Sequence, residues 1–529
     1  MTELVPASSP TSPSASPSAS PPASQPALTA SARYSGRPVL DAGRGQPNWI
    51  ATTPRAAFFR LGSFAVEEAG AAGSAAAGDP YWGRTPPTAG IADRLAAALA
   101  GDPSDGARFL SAAVDWVVGE LGADPDALVT ELVRAVLGDG YPSPTRMLRH
   151  CELVLERYLV EVTGVEPGPP GRFHVFGTEG GAAAMAYTFR SLKENGLVSP
   201  GDRIAIAAPV FTPYLQIPAL ADFGLEIVEI RAAPNKPYRF DEGVLQALRD
   251  PAIKAFVVIN PGNPDTRAVR PERLREVRDL VHHHRPDLVI VADTVYATFV
   301  EGFRGMLAEV PRNVICLHSF SKNFGATGNR LGFAAVAADT VLDDILAGRT
   351  GPARAVADRR YSSLTPDSGT LPFLARMVAD SREVALHNIA GLATPDQVQM
   401  ALFALAHVMP GGPAHASSLR AELHARLAAL LGPLGIEAPG GQDTLYYALI
   451  DLAAVARVRH GAAGAERLRS GEPARVPELL ARDHGVVVLP GAGYGAPTWD
   501  VRVCLAALPT EGLTRVGEAV ARVVDELVG

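Results

Sequence analysis

The sequence predicts an α/β protein: a large domain with a mostly parallel seven-stranded sheet sandwiched by helices, plus a smaller α+β domain. Seven short, near-continuously apolar β-rich runs lie between residues 172 and 337. Amphipathic segments, such as 182–195 and 271–284, separate several of these runs. This alternation is typical of a parallel sheet covered by helices on both faces. After about residue 395 the pattern becomes helical and then gives short strands, which predicts the smaller domain.

The elements follow in order along the chain. Residues 91–160 have apolar residues spaced three and four apart, which predicts helices. The predicted strands of the large domain are 172–176, 203–207, 225–230, 254–259, 288–292, 314–318 and 332–337. Those of the smaller domain are 444–450, 485–489 and 501–505. Because ligands bind at the carboxyl ends of strands in such sheets, we expect the functional residues there.

The first residues of the chain differ in composition from the rest. Fifteen of the first 26 residues are proline or serine, and such a segment has little to bury. We therefore expect a disordered tail over residues 1–32. The remaining predicted units are an arm with part of the small domain at 33–60, the large domain at 61–405 with an insertion near 345–393, and the small domain at 406–529.

Composition excludes several classes of protein. The 529 residues are 47 % hydrophobic and 20 % charged, with a formal net charge of −8, so nothing electrostatic favours nucleic acid or an anionic membrane. The three cysteines are widely spaced, which argues against disulfide frameworks and zinc clusters. No apolar run approaches the roughly 18 residues of a membrane span, and the first residues do not form a signal peptide. We expect a cytoplasmic protein.

A lysine motif carries the strongest chemical signal. Residues 319–325 read Ser-Phe-Ser-Lys-Asn-Phe-Gly, directly after the strand at 314–318, and Arg330 follows eight residues after Lys322. A lysine amine held at a strand end can react with an aldehyde. The hydroxyls of Ser319 and Ser321, together with a guanidinium, can bind a dianionic phosphate. Alone, the motif could be a loop with an exposed lysine.

Three further motifs also follow predicted strands. Asp293 ends the strand at 288–292, where a buried acid requires a cationic partner such as a protonated pyridine nitrogen. Asn263 lies in an Asn-Pro-Gly-Asn-Pro turn after the strand at 254–259. Gly180, Gly181 and Ala182 open a helix after the first strand, so their N–H groups can face an anion.

The order and placement of these four motifs resemble the fold type I pyridoxal-phosphate enzymes, class I and II aminotransferases in particular. The resemblance implies pyridoxal 5′-phosphate bound to Lys322 as a Schiff base, with Lys322, Asp293 and Tyr296 as catalytic residues. Asp293 would pair with the pyridine nitrogen, and Tyr296 and Asn263 would bind the phenolic oxygen. The implied phosphate ligands are Gly180, Gly181, Ala182, Ser319, Ser321 and Arg330. Phe211 matches the aromatic residue that stacks on the ring, although core packing would also explain it.

From about residue 40 to the end, the chain looks like the aspartate β-decarboxylase branch of that family. Arg502 matches the arginine that binds the α-carboxylate, and Arg44 lies in a glycine-rich loop where it would meet the side-chain carboxylate of L-aspartate. Tyr141 matches a tyrosine that reaches the cofactor phosphate of a neighbouring subunit. The resemblance therefore implies a homo-oligomer, at least a dimer and as large as a dodecamer. Asn323 and Asn329 depart from the branch, in which these positions are more often aromatic.

The implied reaction is β-decarboxylation of L-aspartate to alanine and carbon dioxide, with aspartate aminotransferase as a side activity. An alternative is an aminotransferase that acts on aspartate or another amino acid with a 2-oxo acid acceptor. A third hypothesis is a non-catalytic regulator on this fold, but such regulators carry a basic winged-helix domain where this chain has its Ser/Pro tail. The glycines at 491–495 predict a loop at the rim of the site. The three histidines at 282–284 predict a polar helix end, and we expect no metal site.

Overall fold

A seven-stranded mixed sheet forms the centre of the large domain. The computed structural model describes residues 24–73, 82–141, 146–231, 242–382, 391–438 and 443–529. The strands of this sheet are β2 Phe173–Thr178, β3 Arg203–Ala208, β4 Glu226–Arg231, β5 Ile253–Ile259, β6 Val289–Asp293, β7 Val314–Ser319 and β8 Gly332–Ala337. Their spatial order is β2-β8-β7-β6-β5-β3-β4. Only β8 runs in the direction opposite to the other six strands, so the predicted mostly parallel sheet of seven strands is confirmed.

Three further short pairings lie outside this sheet. Their strands are β1 Leu40–Asp41, β9 Tyr447–Asp451, β10 Val486–Val487, β11 Leu489–Pro490 and β12 Asp500–Cys504. Strand β12 lies between β11 and β9 and is antiparallel to both. Strand β1 is parallel to β10, with Leu40 opposite Val486, so the N-terminal arm is attached to the small domain. The predicted strands at 444–450 and 501–505 correspond to β9 and β12, whereas the one predicted at 485–489 is divided into β10 and β11, which pair in different sheets.

The helices of the first half precede and flank the sheet. They are α1 Gln25–Tyr34, α2 Thr52–Gly73, α3 Ile91–Ala100, α4 Asp105–Leu121, α5 Pro125–Leu137, α6 Arg149–Thr163, α7 Gly181–Glu194, α8 Pro213–Gln216, α9 Glu242–Leu248 and α10 Pro271–His283. Side-chain caps explain two of the starts, because Ser104 accepts from the Ala107 N–H and Asp124 accepts from the Ala127 N–H.

The helices of the second half continue through the large domain and its predicted insertion into the small domain. They are α11 Met306–Glu309, α12 Val341–Ala347, α13 Gly351–Arg360, α14 Phe373–Ser381, α15 Thr394–Val408, α16 Gly412–Leu431, α17 Leu452–Arg469, α18 Arg475–His484 and α19 Thr510–Val528. No described helix is long and apolar enough to cross a lipid bilayer.

The core lies on both faces of the sheet. Adjacent residues of one strand, such as Ile290 and Val291, belong to different buried clusters because successive side chains point to opposite faces. One cluster includes residues of α2 to α6 and α15, and the other includes residues of α7, α14 and the small domain. The carboxyl ends of the parallel strands are left to face the small domain.

One boundary was wrong. The expected disordered tail over 1–32 included residues 25–32, but these residues lie in α1, where Leu28 and Ala32 are buried against Val487, Leu489 and Tyr494. The serine- and proline-rich composition concealed an apolar pair four residues apart, which is the spacing of one helix face. Residues 1–23 lie outside the described part of the chain.

Candidate active site

Lys322 lies in the loop after β7, at the edge of a cavity between the sheet and the small domain. Part of its side chain is exposed to the cavity that it lines. The amine at its end is surrounded by protein atoms. Nζ donates a hydrogen bond to the carbonyl oxygen of Gly45 at 2.6 Å. Burial lowers the pKa of Lys322 to about 8, because desolvation disfavours the charged amine. The amine is therefore closer to its reactive neutral form than an ordinary lysine.

Asp293 ends β6, the strand beside β7. Its Oδ2 accepts a hydrogen bond from the Tyr214 hydroxyl at 2.9 Å, and its Oδ1 accepts one from the Val295 N–H at 3.0 Å. Burial raises the pKa of Asp293 to about 6, although both hydrogen bonds act to lower it. A cationic ring nitrogen would supply the counter-charge that this enclosed carboxyl group lacks.

A cradle for an anion lies where α7 begins. A Cβ atom on Gly180 would lie only 2.5 Å from Nη2 of Arg330, so a glycine is needed for the guanidinium to approach the helix terminus. Arg330 also donates to the carbonyl oxygens of Thr327 and Glu179, at 3.0 and 3.4 Å. The Ser319 hydroxyl donates to Ser321 at 3.0 Å. Hydroxyls, a guanidinium and helix N–H groups together suit a phosphate dianion.

The opposite wall of the cavity is a hydrogen-bonded polar network. The Asn263 amide donates to the Tyr296 hydroxyl at 3.3 Å, and Tyr296 donates to the Tyr447 hydroxyl at 3.1 Å. Arg502, from β12, donates to Asn263 Oδ1 at 3.3 Å and to the carbonyl oxygen of Gly43 at 2.7 Å. All four of these side chains are buried. The wall thus presents a guanidinium and a tyrosine pair to a ligand.

The cavity has a volume of about 290 Å³, which is enough for a cofactor ring and a small substrate. Phe211 lines it, as predicted for the stacking residue, and also packs against apolar neighbours. The predicted site residues that line the cavity are Gly181, Ala182, Phe211, Asn263, Asp293, Tyr296, Ser319, Ser321, Lys322, Arg330 and Arg502. The structure therefore brings together most of the residues that the motifs predicted.

Three predicted residues do not line the cavity: Gly180 lies behind the lining, against Arg330, and Arg44 and Tyr141 lie elsewhere. The side chain of Arg44 is 59 % exposed and pairs with Asp41 at 3.4 Å, while the neighbouring Gly43 and Gly45 line the cavity. The loop presents its backbone to the site, which turns the Arg44 side chain outward. Tyr141 is 76 % exposed and lines a separate surface cavity with Arg134. Its expected contact with a neighbouring subunit remains a prediction.

Sequence reasoning missed several residues of the site. Tyr214 follows Phe211 in the same motif and could have been found there as a second aromatic at a strand end. Tyr447 had no motif, because the Tyr446–Tyr447 pair resembles an ordinary apolar strand. Tyr494, from the predicted rim loop, lies with its ring 4.4 Å from the Arg502 guanidinium carbon. Gln25 lines the cavity but lies in the segment expected to be disordered.

The two asparagines that depart from the decarboxylase pattern have different surroundings. Asn323 is buried, and neither polar atom of its amide has a hydrogen-bond partner among the described residues. Asn329 donates to Gln399 Oε1 at 2.5 Å. The three histidines at 282–284 are exposed around the end of α10. Within the described ranges, no group of three or more His, Cys, Asp or Glu side chains could hold a metal ion.

Fold and site together suit an enzyme in which a lysine at the carboxyl edge of a parallel sheet could hold an aldehyde cofactor. The chain belongs to the class I and II aminotransferase family, whose model matches residues 175–520. Its cofactor is pyridoxal 5′-phosphate, and the residues of the cavity fit this group: an amine, an acid for the ring nitrogen and a phosphate cradle.

A curated relative supports the assignment. The chain is 40 % identical over 502 residues to a Pseudomonas sp. protein named bifunctional aspartate aminotransferase and L-aspartate beta-decarboxylase, with 93 % of each chain covered. The fold is also that of a Thermus thermophilus aspartate aminotransferase mutant, with a TM-score of 0.58, 19 % identity and coverage of 96 % and 97 % of the two chains. An aromatic aminotransferase from Pyrococcus horikoshii gives a TM-score of 0.57, 18 % identity and coverage of 94 % and 99 %.

Proposed function

We propose that this enzyme converts L-aspartate to L-alanine and carbon dioxide by β-decarboxylation, with aspartate aminotransferase as a side activity. The observation that carries the proposal is the 40 % identity, over 93 % of both chains, to the bifunctional Pseudomonas enzyme. The cavity supports it with a reactive lysine and a buried arginine suited to an amino acid carboxylate. We further propose that the enzyme acts in the cytoplasm.

The side chains of the cavity would each hold a different part of the cofactor. When bound, pyridoxal phosphate supplies the electron sink for the bonds that break at the substrate. Lys322 would hold it through Nζ, and Gly180, Gly181, Ala182, Ser319, Ser321 and Arg330 would bind its phosphate. Asp293 would keep the ring nitrogen protonated, and Tyr296 and Asn263 would donate to the phenolic oxygen.

Substrate positioning would depend on the polar wall. Arg502 would bind the α-carboxylate through its guanidinium, which orients the α-carbon toward Lys322. With a pKa of about 8, the Lys322 amine can accept and return a proton near neutral pH. The enclosed cavity would replace water around the side-chain carboxylate, which favours its loss as neutral carbon dioxide. A contact between Arg44 and that carboxylate remains a prediction, since Arg44 pairs with Asp41 in the structure.

A single-substrate assay tests the proposal. Purified enzyme loaded with cofactor is incubated with L-aspartate alone, and alanine and carbon dioxide are measured over many turnovers. Sustained release of both products without a keto acid is the expected result. One turnover followed by a stall would instead identify an aminotransferase. The Lys322→Ala variant is the control and should release neither product. Borohydride reduction should not label residue 322 in this variant.

We also propose that the active enzyme is a homo-oligomer in which Tyr141 completes the phosphate site of a neighbouring subunit. The exposure of this tyrosine, outside its own chain's cavity, supports that arrangement. The neighbouring α2 and α5 expose a further apolar surface that includes Phe59 and Val66. Exposed apolar area of this kind is typical of protein interfaces.

A further inference from the structure

Two nitrogen atoms of the cavity wall are buried without a hydrogen-bond partner among the described residues. They are Nε of Arg502 and Nε2 of Gln25, and it is the residues that line the cavity, while these two atoms lie beneath its surface. Leaving a buried N–H donor without an acceptor costs free energy, and native proteins rarely tolerate it without a reason. Two such donors in one wall indicate a ligand that carries two acceptor groups.

The packing of α1 attaches Gln25 to the elements that carry Arg502, and both residues line the same cavity. Gln25 is the first residue of α1, and Leu28 on that helix packs into the cluster formed by Leu489 and Tyr494. Leu489 lies directly opposite Arg502 in the β11–β12 pair, and the ring of Tyr494 stacks on the Arg502 guanidinium. The helix that carries Gln25 is therefore attached to the same small-domain elements that carry the arginine.

The other cationic groups of the lining already have partners or roles. Lys322 donates to the Gly45 carbonyl oxygen, and Arg330 binds backbone oxygens at the phosphate cradle. Arg44 pairs with Asp41 outside the cavity. A second carboxylate bound at the Arg502 end would therefore meet the Gln25 amide, which is neutral and donates through Nε2.

We propose that Gln25 is a specificity-determining residue that donates a hydrogen bond to the side-chain carboxylate of a dicarboxylic amino acid whose α-carboxylate binds Arg502. This assignment rests on the proposed function and names the residue that would distinguish aspartate from alanine. A hydrogen bond to a charged acceptor orients that group more cheaply than a buried ion pair, which requires full desolvation of two charges. Gln25 would thus select the substrate while leaving its side-chain carboxylate free to depart.

The test compares unreactive ligands that carry one or two carboxylates. Succinate and propionate are titrated into enzyme loaded with cofactor, and their dissociation constants are measured by calorimetry. Gln25→Glu, which places a carboxylate where the amide donates, and Gln25→Leu, which removes both polar atoms, are compared with the wild type. Ala30→Glu is the matched control, because it adds the same charge at an exposed position of the same helix.

We expect both Gln25 variants to weaken succinate binding about tenfold or more, the effect of one lost hydrogen bond to a charged group, with Gln25→Glu the weaker binder. Propionate binding should stay within about twofold, and Ala30→Glu should match the wild type. Equal weakening of both ligands, or unchanged succinate binding, would overturn the role of Gln25 while leaving the proposed reaction intact. A wild type that neither prefers succinate nor releases carbon dioxide from aspartate would overturn the reaction as well.

Discussion

Burial shifts the pKa values of the two groups that would act at the cofactor ring toward neutral pH. It lowers the pKa of Lys322 to about 8 and raises the pKa of Asp293 to about 6. Both shifts favour the neutral form of a group that would be charged at pH 7 in water. Perturbed pairs of this kind cluster at functional sites because catalysis requires groups that exchange protons near neutral pH.

The shift of Lys322 predicts how the apoenzyme captures its cofactor. Only the neutral amine attacks the aldehyde, so the rate of Schiff-base formation should rise with pH and level off above about 8. An ordinary lysine would show a midpoint near 10.5. The rate is measured by the growth of the yellow imine absorption after rapid mixing. A rate that still rises tenfold between pH 9 and pH 10 would contradict the shift.

The same shift affects stability with a definite sign. Because the pKa of Lys322 is lowered on folding, the unfolded chain binds the proton more tightly than the folded apoenzyme. The contribution of this group to the free energy of unfolding is therefore present above about pH 10.5 and is lost as the pH falls toward 8.

Tyr214 predicts a shift in the acid dependence of cofactor binding. Its hydroxyl donates to Asp293 and lowers the pKa of that carboxyl group. In Tyr214→Phe the pKa of Asp293 should rise by about one unit, the effect of a hydrogen bond to a charged group. The neutral acid is a poorer partner for the ring, so cofactor affinity should begin to fall at a higher pH as the solution is acidified.

The measurement is the dissociation constant of pyridoxal phosphate from the apoenzyme as a function of pH. Tyr187→Phe provides a matched control, because Tyr187 also donates to a carboxylate, that of Glu179, but does not line the cavity. If cofactor affinity begins to fall at the same pH in Tyr214→Phe and in the wild type, this hydrogen bond does not lower the pKa of Asp293.

At the scale of elements, the start of α2 and the arm before it hold the lysine loop. Trp49 Nε1 donates to the backbone carbonyl oxygens of Lys322 and Asn323 at 3.1 and 3.0 Å. Arg55 donates to the carbonyl oxygens of Phe324 and Gly325 at 3.0 and 2.9 Å. Gly325 has a φ of +57°, and a Cβ atom there would collide with the Trp49 carbonyl oxygen, so this approach requires glycine.

Arg55→Ala should therefore destabilise the enzyme and loosen its cofactor. The substitution removes two hydrogen bonds to the loop and one to Ala51, at a cost of about 2–4 kcal/mol in the free energy of unfolding. The measurements are denaturant unfolding and the rate of cofactor release. Arg457→Ala, at an exposed position, should change stability by less than about 0.5 kcal/mol. Equal effects of the two substitutions would show that the Arg55 hydrogen bonds do not hold the lysine loop.

At the scale of the whole molecule, the arm, the sheet and the small domain each supply part of one cavity. The β1–β10 pair brings the arm to the small domain, and β12 brings Arg502 opposite the strand ends that carry Asp293 and Lys322. We propose that a second copy of the chain supplies a fourth part. The exposed Tyr141 of one subunit would complete the phosphate site of its neighbour.

Mixing inactive subunits tests that role. We expect Lys322→Ala to be inactive and Tyr141→Phe to be weakened about tenfold or more by loss of a phosphate contact. In a dimer that contains one of each, one site has both lesions and the other has none. Randomly mixed and reassembled subunits should therefore recover about a quarter of wild-type activity. Activity equal to the mean of the two separate variants would contradict a shared site.

The sequence by itself determined the seven strands, their alternation with helices and the motifs at the strand ends. These features are local, because apolar runs, glycines at a helix start and a lysine after a strand depend on neighbours in the chain. The shared edge of a parallel sheet then brings Asp293, Lys322 and the glycines near residue 180 together, which is why most of the cavity could be predicted.

Only the tertiary structure decided which other side chains meet them. The Tyr214–Asp293 and Tyr296–Tyr447 bonds join residues 79 and 151 positions apart, and no local pattern encodes such separations. Arg44 turns outward because its loop offers backbone to the cavity, and α1 is ordered because β10 and β11 present an apolar surface to Leu28. Composition predicted disorder for that segment, whereas burial against a distant strand pair stabilises the helix and places Gln25 in the site.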